Sequence, residues 1–179
     1  GATRLEGGVA VPSFPHARHH VQRRNLEWAK KPNDRERASY RSDSWRALEE
    51  ADLFELRDGT CDILPGVSAV VSDGHTEGLQ MIRVTGVEDS GPRELWYTAD
   101  LIPMVSHVAL PWIAAYDIAA LRSLEEKKAL LEGIAGRDAW LFFEHDPAIA
   151  ASRVVRENEK FRAVDPMEKA PSFLAAEVR

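Results

Sequence analysis

The sequence predicts a layered α/β fold. Short apolar runs such as VSAVV, LQMIRV and AWLFF are bounded by Gly, Pro and Asp, which is how half-buried and buried strands read. One well-formed helical pattern, SLEEKKALLEGIAG, lies between two of these runs, and strands alternating with helices build layers. The chain has 179 residues, 44% hydrophobic and 29% charged, enough for one domain with a real core.

Residues 1–17, rich in Gly and Pro, read as loop. HHVQ is a short strand. NLEWAKK starts a helix with Asn25 as its cap. PNDRERASYRSDSW is polar and irregular. FELRDGTCDILPGVSAVV predicts a hairpin, because Asp58-Gly59 is a strong turn signal. LQMIRVTGV and ELWYTAD are strands separated by EDSGPR. LIPMVSHVALPWIAAYD is broken by Pro103 and Pro111 and reads as loop with short helical pieces. In the clear helix, Ser123 and Glu126 form an S-x-x-E capping box. Leu124, Leu131 and Ile134 belong to its buried stripe, and Gly136 stops it. AWLFFEHDP is a buried strand that ends at a polar corner, and RVVRENEKFRAV is a closing hairpin.

The net charge of −6 disfavours nonspecific binding to nucleic acid or to an anionic membrane surface. RHHVQRR is the only basic cluster. No segment approaches the roughly 20 apolar residues of a membrane span, and no signal peptide is visible. A single cysteine, Cys61, forbids an internal disulfide and fits a reducing cytoplasm. Cys61 reads as a small buried residue, and His16, His19 and His20 as surface residues.

Three apolar strands end in a residue able to bind a cation. VSAVVSDGH ends in His75, ELWYTAD in Asp100 and AWLFFEH in His145. If the strands lie side by side, the three side chains meet along one sheet edge, where ligand sites of α/β proteins collect. Imidazole and carboxylate suit zinc, manganese or iron, and a carboxylate can bridge two ions. Taken one by one, the same three residues also read as solvated or capping corners. Gly74 is read as allowing a tight turn just before His75.

The motifs resemble the metallo-β-lactamase fold hydrolases. DGHTEG is similar to their G-H-T-x-G corner, and YTAD followed by LIP to T-G-D-x-x-P. FFEHDP is similar to the terminal histidine segment of a subgroup with lactonase-like and organophosphate hydrolase-like members. FPHARHHVQ matches an F-P-x-A-x-x-x-x-Q stretch that follows the family's first metal motif. The resemblance covers nearly the whole chain. It implies part of an αβ/βα four-layer sandwich, with residues 1–179 as the C-terminal portion of one domain. It also implies two divalent cations, zinc first, with manganese or iron as alternatives. His75 would bind the first, Asp100 would bridge, and His145 would bind the second. A hydroxide held between the ions would attack a lactone, ester or phosphoester.

The chain departs from that pattern in places. The H-x-H-x-D-H motif that carries the remaining ligands is absent, and HARHH does not replace it. The opening residues GATRLEGG read like the middle of a loop, so the chain is expected to be a fragment whose N-terminal part is missing or on another chain. Leu79 stands where many relatives carry a second histidine that is not a ligand. Ala99 stands where a glycine is usual, which tightens that turn. With two donors per ion, the chain alone is expected to bind metal weakly and to be catalytically poor.

In the resemblance, His107 and Tyr116 border the substrate pocket, His107 donating to a substrate oxygen and Tyr116 polarising a leaving group. The bland reading is that both satisfy loop backbone. Met104, Leu110, Trp112 and Ile113 would line an apolar pocket, or else pack as core or interface. Glu144 or Asp146 would orient His145, although neighbours in a strand point to opposite faces. The partners implied are a small-molecule substrate and the missing segment or a second copy. Two other readings stand beside the hydrolase: a degenerate piece kept for binding or assembly, and a redox enzyme of the same fold using iron and oxygen.

Overall fold

Strand β1 (Thr3–Glu6) and strand β2 (Val9–Pro12) pair antiparallel, where a loop was expected. Gly7 and Gly8 have φ of 57° and 84°, the two left-handed residues that a two-residue hairpin turn requires. The computed structural model describes residues 1–88 and 91–169, and for residues 87, 88, 91 and 92 the backbone alone. Residues 170–179 of the expected domain lie outside it.

Strand β3 (His19–Gln22) is the HHVQ strand. It pairs in parallel with β4 (Phe54–Arg57), and helix α1 (Arg23–Lys30) follows it directly. Asn25 lies inside α1 and does not cap it; its amide donates to Tyr40 Oη at 2.9 Å and to Glu77 O at 2.5 Å. Gln22 is fully buried. It donates to Gly59 O and Gln80 Oε1 at 3.1 and 2.9 Å and accepts from Gly59 N at 2.8 Å. The glutamine of the F-P-x-A-x-x-x-x-Q stretch thus ties the small sheet to the large one. The polar segment that follows holds a short 3₁₀ turn and helix α2 (Arg46–Glu50).

Asp58-Gly59 is not a hairpin turn. It joins β4 to a different sheet, and the hairpin here is formed by β5 (Cys61–Leu64) and β6 (Val67–Ser72) across Pro65-Gly66. The larger sheet continues with β7 (Leu79–Glu88), β8 (Gly91–Tyr97), β9 (Ala139–Phe142), β10 (Ile149–Glu157) and β11 (Lys160–Glu168). Of the expected linker EDSGPR, Glu88 and residues 91–93 extend the strands, while residues 89 and 90 lie outside the described residues. The spatial order is β11-β10-β9-β8-β7-β6-β5, antiparallel throughout except for β8 against β9. A parallel pair needs a crossover, and residues 98–138 supply it.

That crossover carries helix α3 (Ala120–Ile134) across one face of the sheet. Its buried positions Ser123, Lys127, Leu131 and Ile134 follow helical spacing, with Leu124 only half-buried. Met81, Trp96, Leu141, Val154 and Phe161 meet it in the core. The capping box is absent. The helix starts a turn before Ser123, and Glu126 accepts from Ser72 Oγ at 2.6 Å and from Asp73 N at 3.0 Å. The S-x-x-E pair therefore fastens α3 to the SDGHTEG corner. Of the implied four-layer sandwich, this chain forms the large sheet, the α3 layer and the β3–β4 pair beside α1.

Lys127 is fully buried, and its ammonium donates to His107 O, Ala109 O and Trp112 O at 3.0, 3.1 and 2.7 Å. Burial pushes its pKa down to about 8. Lys127→Met removes the donor from three carbonyls, one buried and two partly buried, and is expected to destabilise the fold by about 3 kcal/mol at pH 7. Between pH 8 and about 10.5 the unfolded chain holds a proton that the folded chain lacks, so the native protein gains stability as pH rises. The gap between native and variant in urea unfolding should therefore widen across that window. A gap that narrows would contradict the assignment.

Candidate metal centre

The corner that carries His75 is held from several sides. Ala119 N donates to Gly74 O at 2.9 Å and Ile118 N to His75 O at 3.2 Å. Asp73 Oδ1 accepts from Gly78 N at 2.9 Å and closes the loop on itself. Gly74 has no left-handed backbone here. A Cβ on it would fall 2.4 Å from Ser123 N and 2.5 Å from Ser123 Cα, so glycine is needed because α3 passes too close for a side chain.

Asp100 follows β8 through Thr98, whose hydroxyl donates to Ile102 O at 2.9 Å, and Ala99, whose φ is 45°. That left-handed alanine costs about 1 kcal/mol and lifts the chain out of the strand line into a 3₁₀ turn at Ala99–Leu101. His145 lies beyond β9, its backbone N–H on Pro103 O at 3.0 Å. Asp146 accepts from Val105, Ala148 and Ile149 backbone at 3.0, 2.9 and 2.8 Å. Burial pushes Asp146 up, yet those three donors hold it below the usual carboxylate range. It shapes the loop and does not orient His145.

The three strand-end residues meet. His75 Nε2 lies 3.4 Å from Asp100 Oδ2, and His145 Nε2 lies 3.1 Å from Asp100 Oδ1. One carboxylate thus turns a separate oxygen to each imidazole. Behind His75, its Nδ1 is 2.9 Å from Asp117 Oδ1, a residue the sequence reading missed. Asp117 is buried and fixes which ring nitrogen of His75 faces Asp100. The Asp117 hydrogen bond, opposed by burial and aided by the Asp100 charge, raises the His75 pKa above the ordinary imidazole value. Imidazole and carboxylate donors at this spacing, with a carboxylate behind the histidine, fit a first-row divalent cation.

Thr76 carries the neighbouring network. It donates to Glu36 Oε1 at 2.5 Å and lies 2.7 Å from Tyr40 Oη, while Trp28 and Asn33 each donate to Glu36 Oε2 at 2.8 Å. A buried carboxylate with three such donors is a fastening point that joins residues 28–40 to the histidine corner. Glu36 was not recognised because its partners lie on three separate segments.

A cavity of about 650 Å³ opens over these residues, lined by His75, Asp100 and His145 together with Met104 and His107. The His107 side chain is buried, and burial followed by the Lys127 charge lowers its pKa. Tyr116 lies on the cavity rim, 79% exposed. Leu110 packs against the core instead, and Trp112 is 62% exposed. His16 is exposed, but His19 and His20 are half-buried in β3, where His20 Nδ1 accepts from Arg57 Nε at 3.1 Å. Cys61 is half-buried in β5. In the basic cluster, Arg23 pairs with Asp58, and Arg24 with Asp73 and Glu77. No described helix is long and apolar enough to cross a membrane.

The described residues share their fold with solved hydrolases, one of them described as in the beta lactamase superfamily. A probable metal-dependent hydrolase from Staphylococcus aureus superposes with a TM-score of 0.74 at 20% identity, covering 89% of this chain and 55% of its own. The hydrolase AbOPH superposes at 0.70 with 16% identity, covering 90% and 58%. AidC, a dizinc quorum-quenching lactonase with its product bound, superposes at 0.69 with 18% identity, covering 92% and 61%. The chain thus spans little more than half the length of these structures. No family model and no curated protein matches its sequence.

Proposed function

We propose that this chain carries part of the two-cation centre of a hydrolase acting on a lactone, ester or phosphoester. The observation that supports it is Asp100, whose two oxygens face two different histidines. His75 would hold the first cation and His145 the second, with Asp100 between them. Zinc fits the donors, as do manganese and iron. Such ions supply Lewis acidity and make water acidic enough to act as a nucleophile near neutral pH. Asp117 holds the His75 ring in place. His107, with its lowered pKa, offers a neutral imidazole to a substrate oxygen, and Tyr116 offers a phenol at the rim to a leaving group.

With only these residues, each cation has two donors, fewer than the four that zinc prefers. The chain alone would therefore hold cations weakly and turn over slowly. The large sheet supports the same view. Ile82, Val84, Leu95, Tyr97, Trp140 and Phe142 share its outer face by register. Val84, Leu95 and Phe142 remain 38–40% exposed there. An apolar sheet face of this kind calls for a cover. A further β-layer, supplied by additional polypeptide or by a second copy, would bury it and could bring the remaining donors.

The test is a hydrolysis screen of lactones, phosphotriesters and thioesters, using the whole protein encoded by the gene. Turnover of at least one class is expected, abolished by EDTA and restored by zinc or manganese. Turnover indifferent to EDTA, or none in any class, would contradict the reading.

A further inference from the structure

We propose that Glu144 is itself a cation ligand, so that one of the two positions has three donors from this chain: Asp100, Glu144 and His145. This rests on the metal-centre reading above and adds a residue to it. One donor atom from each of the three lies within 4.8 Å of the others. Donors bound tetrahedrally at roughly 2.0–2.2 Å around one ion sit about 3.3–3.6 Å apart, so a pair at the 4.8 Å limit closes by roughly 1.2–1.5 Å, within the reach of side-chain rotation.

Adjacent residues of a strand face opposite ways, which argues against Glu144 and His145 sharing a site. That rule does not apply here, because β9 ends at Phe142. Phe143 is fully buried with its N–H on Ala150 O, and the chain then bends so that His145 N–H reaches Pro103 O. Both side chains come to the same edge. The Glu144 carboxylate is also oriented. The Tyr97 hydroxyl donates to its Oε2, leaving Oε1 for a cation. Two carboxylates held this close repel one another, and a cation between them reverses the sign. Two carboxylates and one imidazole form a harder set than a histidine-rich one, which favours manganese among the first-row ions.

The test is Mn²⁺ titration of the full chain by calorimetry, with the EPR signal of free Mn²⁺ as a second readout. Glu144→Gln keeps the shape and the acceptor for Tyr97, and unfolding without metal should match the native chain. It is expected to weaken Mn²⁺ binding by about tenfold or more. His145→Ala should weaken binding at least as much, and His75→Ala far less. Native affinity in Glu144→Gln, with binding lost in Asp100→Asn, would overturn the role of Glu144 and leave the centre standing. No Mn²⁺ binding by the native chain would overturn both.

Discussion

Asp100→Ala is expected to abolish paired cation binding, whereas His107→Ala leaves it nearly intact. The expectation follows from geometry. Asp100 presents one oxygen at 3.4 Å to His75 and the other at 3.1 Å to His145, so its removal takes a donor from both positions at once. His107 lines the same cavity, where its Nδ1 lies 3.3 Å from Ser106 Oγ rather than against Asp100. Loss of one ligand shared by two ions should lower affinity by about a hundredfold or more, since even residues behind the ligands are worth about 10–100-fold. The His107 variant should stay within about threefold of the native value by the same scale. Zinc or cobalt titration of the whole protein reads both numbers. Equal losses in the two variants would remove Asp100 from the bridge.

Gly74→Ala is the second large effect, and it acts through the fold. The added carbon would lie 2.2 Å from Ser123 Oγ, 2.4 Å from Ser123 N and 2.5 Å from Ser123 Cα. Two of those atoms are helix backbone and cannot rotate away. Either α3 or the histidine corner must move, and overpacking of this kind costs about 3 kcal/mol. For a chain of this length that lowers Tm by roughly 6–12 °C. The shift would also pull His75 away from Asp117 and Asp100, so cation affinity should fall together with stability. An unchanged Tm and unchanged affinity would show that the corner is not pinned to the helix as described.

What the sequence made legible was local. Strand ends followed by Asp or His are readable because apolar runs and turn residues are contiguous, and the corners at His75, Asp100 and His145 were found that way. Asp117 was not, because its role depends on α3 returning across the sheet to meet the corner at Gly74. Glu126 misled for the same reason. Three residues after a serine it looks like a local cap, yet its partners Ser72 and Asp73 lie 53–54 residues away. Asp58-Gly59 reads as a hairpin turn, but local turn chemistry cannot reveal that its flanking strands join different sheets. Lys127 was not singled out from SLEEKKALLEGIAG; three carbonyls from residues 107–112 accompany its burial. In each case the missing information was a long-range partner.

The most direct test of the centre is an NMR titration of the chain labelled with ¹⁵N at its six histidines, following ring nitrogens as zinc is added. The account predicts that His75 and His145 shift at Nε2 and that His16, His19, His20 and His107 keep their resonances. Shifts confined to other histidines, or none at His75 and His145 at saturating zinc, would contradict it.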